Sequence, residues 1–227
     1  MPANVLRADN YADWNPRWFE KSDASGDNYF YQQPRKVVHI DDDAIAAATE
    51  LYRELLPAGG IILDLMSAWR SHLPTDVTYA RVTGLGMNAD EMADNAQLSD
   101  TVVHNLNTTP KLPFEAGTFD AACCTVSVQY LQKPVEVLRE LSRVLKPDAP
   151  MIFTFSNRCF PSKAVNLWQM SDDDEHMQIV ALYFEAASTW RDITMQDRSA
   201  ACAETRECDP LFAVWAFNRD GSELRAM

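Results

Sequence analysis

The sequence predicts an α/β fold with a doubly wound, mostly parallel sheet. Three observations predict it. Short, continuously apolar runs recur along the chain, as strands buried on both faces require. Amphipathic stretches of helical period separate many of them. Apolar residues make up 47% of 227, enough to bury a core of one domain.

The elements follow in order. Residues 1–34 read as an irregular arm with seven aromatics: Tyr11, Trp14, Trp18, Phe19, Tyr29, Phe30 and Tyr31. The arm, taken to residue 40, is expected to strap the domain or close over a pocket; residues 41–227 form the domain itself. Asp41–Asp43 supply a cap and first-turn carboxylates. Ile45, Ala48, Tyr52 and Leu55 then mark a helical face that Pro57 and Gly59-Gly60 end. Ile61–Leu65 is the first strand. Tyr79 to Leu85 is the second, followed by a helix-like stretch through Glu91 and Ala96. Thr101–His104 and Phe119–Thr125 are the third and fourth. Pro134 opens a helix where its missing N–H is harmless, and Lys146-Pro147 stops it. Met151–Phe155 is the fifth strand. A helix runs from about Asp172 to Ala187, its acidic start a solvated cap rather than a metal site. Strands around Trp190–Met195 and Leu211–Asn218 close the chain, making seven. Alternation of this kind implies right-handed crossovers and ligands at the carboxyl ends of the strands.

Composition removes several functions. Twenty basic against 33 acidic side chains leave a net charge of −13, which disfavours nucleic acid and anionic membranes as partners. Seven glycines, roughly 3% against an average near 7%, argue against a glycine-rich phosphate loop. No apolar run reaches the ~20 residues of a membrane span, and Met1–Asn15 does not read as a secretory leader. Five scattered cysteines and four dispersed histidines lack zinc spacing, and the thiols read as reduced, in a cytoplasmic protein.

Two long segments carry more. Leu112–Asp120 reads L-P-F-E-A-G-T-F-D, and Leu138–Pro147 reads L-R-E-L-S-R-V-L-K-P. Together they resemble the class I S-adenosylmethionine-dependent methyltransferases of the type 11 branch. The resemblance covers residues 41 to about 160. It implies a Rossmann-like methyltransferase fold, a seven-stranded sheet with an antiparallel last strand. It also implies S-adenosylmethionine as cofactor and a small-molecule methyl acceptor. Two departures stand out. Met66, Ala68 and Arg70 replace the family's three first-loop glycines, and Gly86 stands where the family has a ribose-binding acid.

The resemblance implies a site residue by residue. Asp64, Met66 and Ser67 would meet the cofactor's amino-acid end, with Arg35 on its carboxylate. Met87 would pack on adenine, and Asn88 would take over the ribose. Asn105 and Leu106 would read the adenine edge; Thr125 and Ser127 would lie beside cofactor and acceptor. His39, His72, in a first-loop helix, and Tyr130 are the candidate acid–base groups. No metal is expected. With no inserted cap domain, the acceptor is expected either to be small or to reach the site as a protruding group; a thiol or sulfide and an aromatic or quinone-like molecule both suit. One competing reading comes from Gly84-x-Gly86-x-x-Ala89, which matches a dinucleotide fingerprint and would make the protein a nicotinamide oxidoreductase. A non-catalytic binding protein on the same fold is the third.

Overall fold

The computed structural model of the protein describes residues 7–199 and 208–219. Seven strands form one sheet: β1 Ile61–Leu65, β2 Arg81–Gly86, β3 Asp100–Val103, β4 Ala121–Thr125, β5 Pro150–Phe155, β6 Trp190–Asp197 and β7 Phe212–Asn218. Their order is β3-β2-β1-β4-β5-β7-β6. The first five run parallel, and β7 inserts antiparallel between β5 and β6. The direction of winding reverses between β1 and β4, which opens a crevice at their carboxyl ends.

Side-chain alternation along the central strands fills both faces. Ile62, Ala121, Cys123 and Ile152 pack under helix α2, Asp42–Leu55, which presents Ala44, Ala48, Leu51 and Tyr52. Leu63, Ala122, Cys124 and Phe153 face the other way. They meet helix α4, Pro134–Val144, and helix α6, Asp173–Ala187. Asp41 caps α2 by accepting from the Ala44 N–H. Asp172 and Glu175 form a reciprocal capping box on α6, so the acidic run there is a cap, as its sequence implies. The short helices are α1 Asp27–Phe30, α3 Ala89–Ala93 and α5 Asn166–Gln169.

The crossovers are less helical than the alternation suggests. No helix connects β1 to β2, so His72 sits in an irregular segment and not in a first-loop helix. The stretch after β2 condenses to the five residues of α3. The first departure has a cause: the chain between residues 66 and 80 is held by side-chain bonds to Asp64 and Gln97 rather than by its own ladder.

The arm divides in two. Its first part is built into the core: Trp14 and Phe19 stack and pack against Tyr183 of α6. Lys21 forms a bridge with Val165, and Lys163, fully buried, pairs with Asp23 at 3.0 Å. Its second part, residues 31–41, crosses the carboxyl end of the sheet. Cys123, Cys124 and Cys159 are free thiols, whereas Cys208 is disulfide-bonded, against the expectation of five reduced cysteines; Cys202 lies outside the described residues.

Candidate active site

A cavity of about 630 Å³ opens at the carboxyl ends of β1, β2 and β4. Its size lies in the range of ~300–1,000 Å³ usual for small-molecule sites. Every residue singled out from the sequence as a candidate lines it.

Its floor is the turn after β1. Asp64 is only 2% exposed, and its Oδ2 accepts from Ser67 Oγ at 2.5 Å and Ser71 Oγ at 2.6 Å. Asn95 Nδ2 donates to Ser71 Oγ and to the Ala68 carbonyl, which extends the clasp. Burial pushes the Asp64 carboxyl up to about 6, although the two hydroxyls favour its charged form. Met66 sits at φ 58°, His72 at φ 56° and Val126, after β4, at φ 48°. So the left-handed turn that glycine would supply is made by Met66. At β-branched Val126 the same conformation is strained backbone, of the kind that collects at functional sites.

The wall at β2 explains the missing acid. A Cβ on Gly86 would lie 2.1 Å from the Ser67 carbonyl oxygen. The glycine-free first loop therefore runs through the space an acidic residue 86 would need. Gly84 is packed as closely, its Cβ position 2.5 Å from Leu98 Cδ1. Both glycines lie inside the strand, not in a phosphate-facing turn, so the dinucleotide fingerprint is not formed.

Asn88 is committed elsewhere. Its Oδ1 caps α3 through the Glu91 N–H, and its Nδ2 donates to the carbonyls of Tyr31 and Gln32. It anchors the arm with both amide hydrogens and has no donor left for a ribose. Asn105 is committed too: its Oδ1 accepts from the N–H groups of Asn107 and Thr108, an Asx turn. Thr125 Oγ1 pairs with the Tyr52 hydroxyl at 2.6 Å, and Ser127 Oγ donates to the Thr125 carbonyl. Met87, Leu106 and Leu85 give this side of the cavity its apolar surface.

The second part of the arm makes the roof. The Arg35 N–H donates to Glu91 Oε1 at 2.6 Å, Lys36 pairs with Asp94, and Trp69 Nε1 donates to the Val37 carbonyl at 3.0 Å. The Arg35 guanidinium lies over Phe30, 4.1 Å from the ring centroid. His39 meets Phe160 edge-on. Burial and the Arg35 guanidinium lower the His39 pKa, and burial with Arg70 brings His72 to about 4, so both imidazoles are neutral near pH 7. The Tyr130 hydroxyl accepts from the Phe160 N–H at 2.8 Å, and burial pushes its phenol up. Glu91, Phe160 and Val126 are cavity residues that sequence reasoning missed. Glu91 was concealed because Asn88-x-x-Glu91 reads as an ordinary capping box.

Residues 68–153 match the family model described as a methyltransferase domain. No curated protein matches the sequence significantly. Among solved structures, an S-adenosylmethionine-dependent methyltransferase from Thermotoga maritima is 15% identical with a TM-score of 0.56, over 78% of this chain and 90% of that one. One from Aquifex aeolicus is 16% identical with a TM-score of 0.51, over 85% and 97%. The 4+2 cyclase SpnF is 16% identical with a TM-score of 0.57, over 86% and 92%. At these identities the likeness establishes the fold.

Proposed function

We propose that this chain, which has the fold of S-adenosylmethionine-dependent methyltransferases and matches a methyltransferase-domain model over residues 68–153, transfers a methyl group from S-adenosylmethionine to a small molecule. One observation carries the reading. The cavity at the reversal of strand order is large enough for a nucleoside-sized ligand beside a small acceptor, and the arm roofs it.

The residues present fit the cofactor. Asp64 offers negative charge to an ammonium or sulfonium, whereas Asp27 is neutralised by Lys21 and Lys163, and Arg35 offers a guanidinium to a carboxylate. Met66, Met87 and Leu106 offer apolar surface to a base, with Ser67 and Ser127 at the edges. S-adenosylmethionine, when bound, supplies an electrophilic methyl, so the acceptor atom needs mainly alignment and exclusion of water. The chain's own work is then positional. The Trp69–Val37 and Glu91–Arg35 bonds hold the roof on the first loop and on α3. His39, neutral near pH 7 at the mouth, can take a proton from an acceptor hydroxyl, amine or thiol. Tyr130 keeps its proton and forms a wall with Phe160, while His72 lies against the first loop. A small thiol or sulfide would need little help from a base, and an aromatic acceptor would suit Phe160 and Tyr31. Action on such a molecule in the cytoplasm is part of this reading.

Titration calorimetry with S-adenosylmethionine, S-adenosylhomocysteine and NAD tests it. Saturable binding of the first two and none of NAD is expected. Release of S-adenosylhomocysteine with thiol and phenol panels then reads the transfer, which His39→Asn should slow without weakening cofactor binding. A folded protein that binds neither adenosyl ligand would overturn the reading.

A further inference from the structure

We infer that Glu91 receives the ribose diol of the adenosyl ligand, from a helix position beyond the strand end. This rests on the reading above that the cavity takes such a ligand. A vicinal diol presents two neighbouring donors, and a carboxylate is an acceptor-only group with two oxygens. The cavity's other carboxylates are already occupied. Both oxygens of Asp27 accept from Lys21, and one also from Asn107. Asp64 Oδ2 takes two serine hydroxyls, and its Oδ1 faces the Cys123 thiol. Asp41 and Asp209 bond each other's backbone N–H, and Asp209 also holds Arg158.

Glu91 differs. It is 8% exposed and lines the cavity; Oε1 accepts from the Arg35 N–H, and among the described residues Oε2 has no hydrogen-bond partner. Its place reinforces the point. Asn88 caps the Glu91 N–H, and in the reciprocal box the glutamate would return to the cap's own N–H. Here the side chain turns to the roof and cavity instead. Of the two groups that sequence reasoning would use, residue 86 has no room for a side chain, and Asn88 has both amide hydrogens on the arm and its oxygen on the α3 cap. The same carboxylate touches ligand and arm, so diol binding would also brace the roof.

The experiment compares calorimetric affinities for S-adenosylhomocysteine and its 2′,3′-dideoxy counterpart, in wild type and in Glu91→Gln, with no turnover involved. Glutamine keeps an oxygen for the Arg35 N–H. Wild type should prefer the diol ligand by about tenfold to a hundredfold, the effect of one charge-assisted hydrogen bond. Glu91→Gln should lose most of that preference while binding the dideoxy ligand as wild type does. Glu91→Asp, which keeps the charge but retracts it by one methylene, should lose it as well, and it serves if the glutamine variant does not fold. If wild type binds but ignores the diol, or if the variants keep the preference, the assignment to Glu91 fails alone. If wild type binds neither ligand, the cofactor reading fails and the assignment falls with it.

Discussion

Asp64 is a carboxyl whose burial outweighs its two hydroxyl donors, and that balance has a measurable sign. Its folded pKa is about 6, against ~3.9 in an unfolded chain. Between those values the folded state binds more protons than the unfolded one, so this group's contribution to stability is fully present below pH 4. It declines as pH rises through 6, by roughly 2–3 kcal/mol in all. Urea unfolding of wild type and Asp64→Asn from pH 3.5 to 7.5 should show a difference curve that falls across that window and is flat above it. A flat difference throughout would mean the carboxylate is better solvated than its burial implies. Position 86 gives a second test at the same scale. Gly86→Ala places a methyl against the Ser67 carbonyl, so a loss of about 3 kcal/mol or more in unfolding free energy is expected from urea titration. Gly86→Asp, the change that would restore an acid at the strand end, should be worse and should not strengthen cofactor binding.

At the scale of elements, the strands could be read almost residue by residue and the crossovers could not. Ile61–Leu65 and Met151–Phe155 are apolar apart from Asp64 and Thr154 because they are buried on both faces, and that pattern admits few alternatives. The segment from 66 to 80 takes its path from hydroxyl and amide bonds to residues on other elements. Periodicity carries no trace of such bonds. The arm shows the same limit: its aromatics suggest a lid, yet Trp14 and Phe19 belong to the core that α6 completes. Its first part is pinned by Lys163, whose ammonium is enclosed by Asp23, Asp27 and the Ser25 carbonyl. Lys163→Met should destabilise by about 3 kcal/mol, the low end for breaking a buried pair because Lys21 still serves Asp27. Limited proteolysis should then cut near Arg17 and Lys21 faster than in wild type. Deleting residues 1–30 should lower the melting temperature of the whole domain, rather than remove a detachable lid.

For the whole molecule, the two segments that carry the family resemblance are staples of the scaffold. Asp120 accepts from the Ile61 N–H and from Lys146, joining the start of β1 to the turn after α4. Arg143 of α4 donates to the carbonyls of Leu112 and Phe114, and Glu140 accepts from the Leu112 N–H. Leu112–Asp120 and Leu138–Pro147 thus hold each other, away from the cavity floor. That is why the fold was legible while the cavity was only partly so: Asp64, Arg35 and His39 line it, but the commitments of Asn88 and Asn105 to the backbone left no trace in the sequence. Arg143→Ala should lower stability by about 2 kcal/mol through two carbonyls left without a donor. Its affinity for S-adenosylhomocysteine should stay within about twofold, a shift of less than 0.5 kcal/mol. A large loss of affinity at unchanged stability would mean that the staple reaches the site.

The contact between Gly86 and the Ser67 carbonyl also orders events in time. An acid cannot arise at position 86 while the first loop keeps its course, and the loop keeps that course through bonds from Ser67, Ser71 and Asn95. A lineage carrying this arrangement would have to rebuild the loop before it could try any side chain at the strand end. The dependence runs one way: the loop can change while residue 86 stays glycine, but residue 86 cannot gain a side chain until the loop moves.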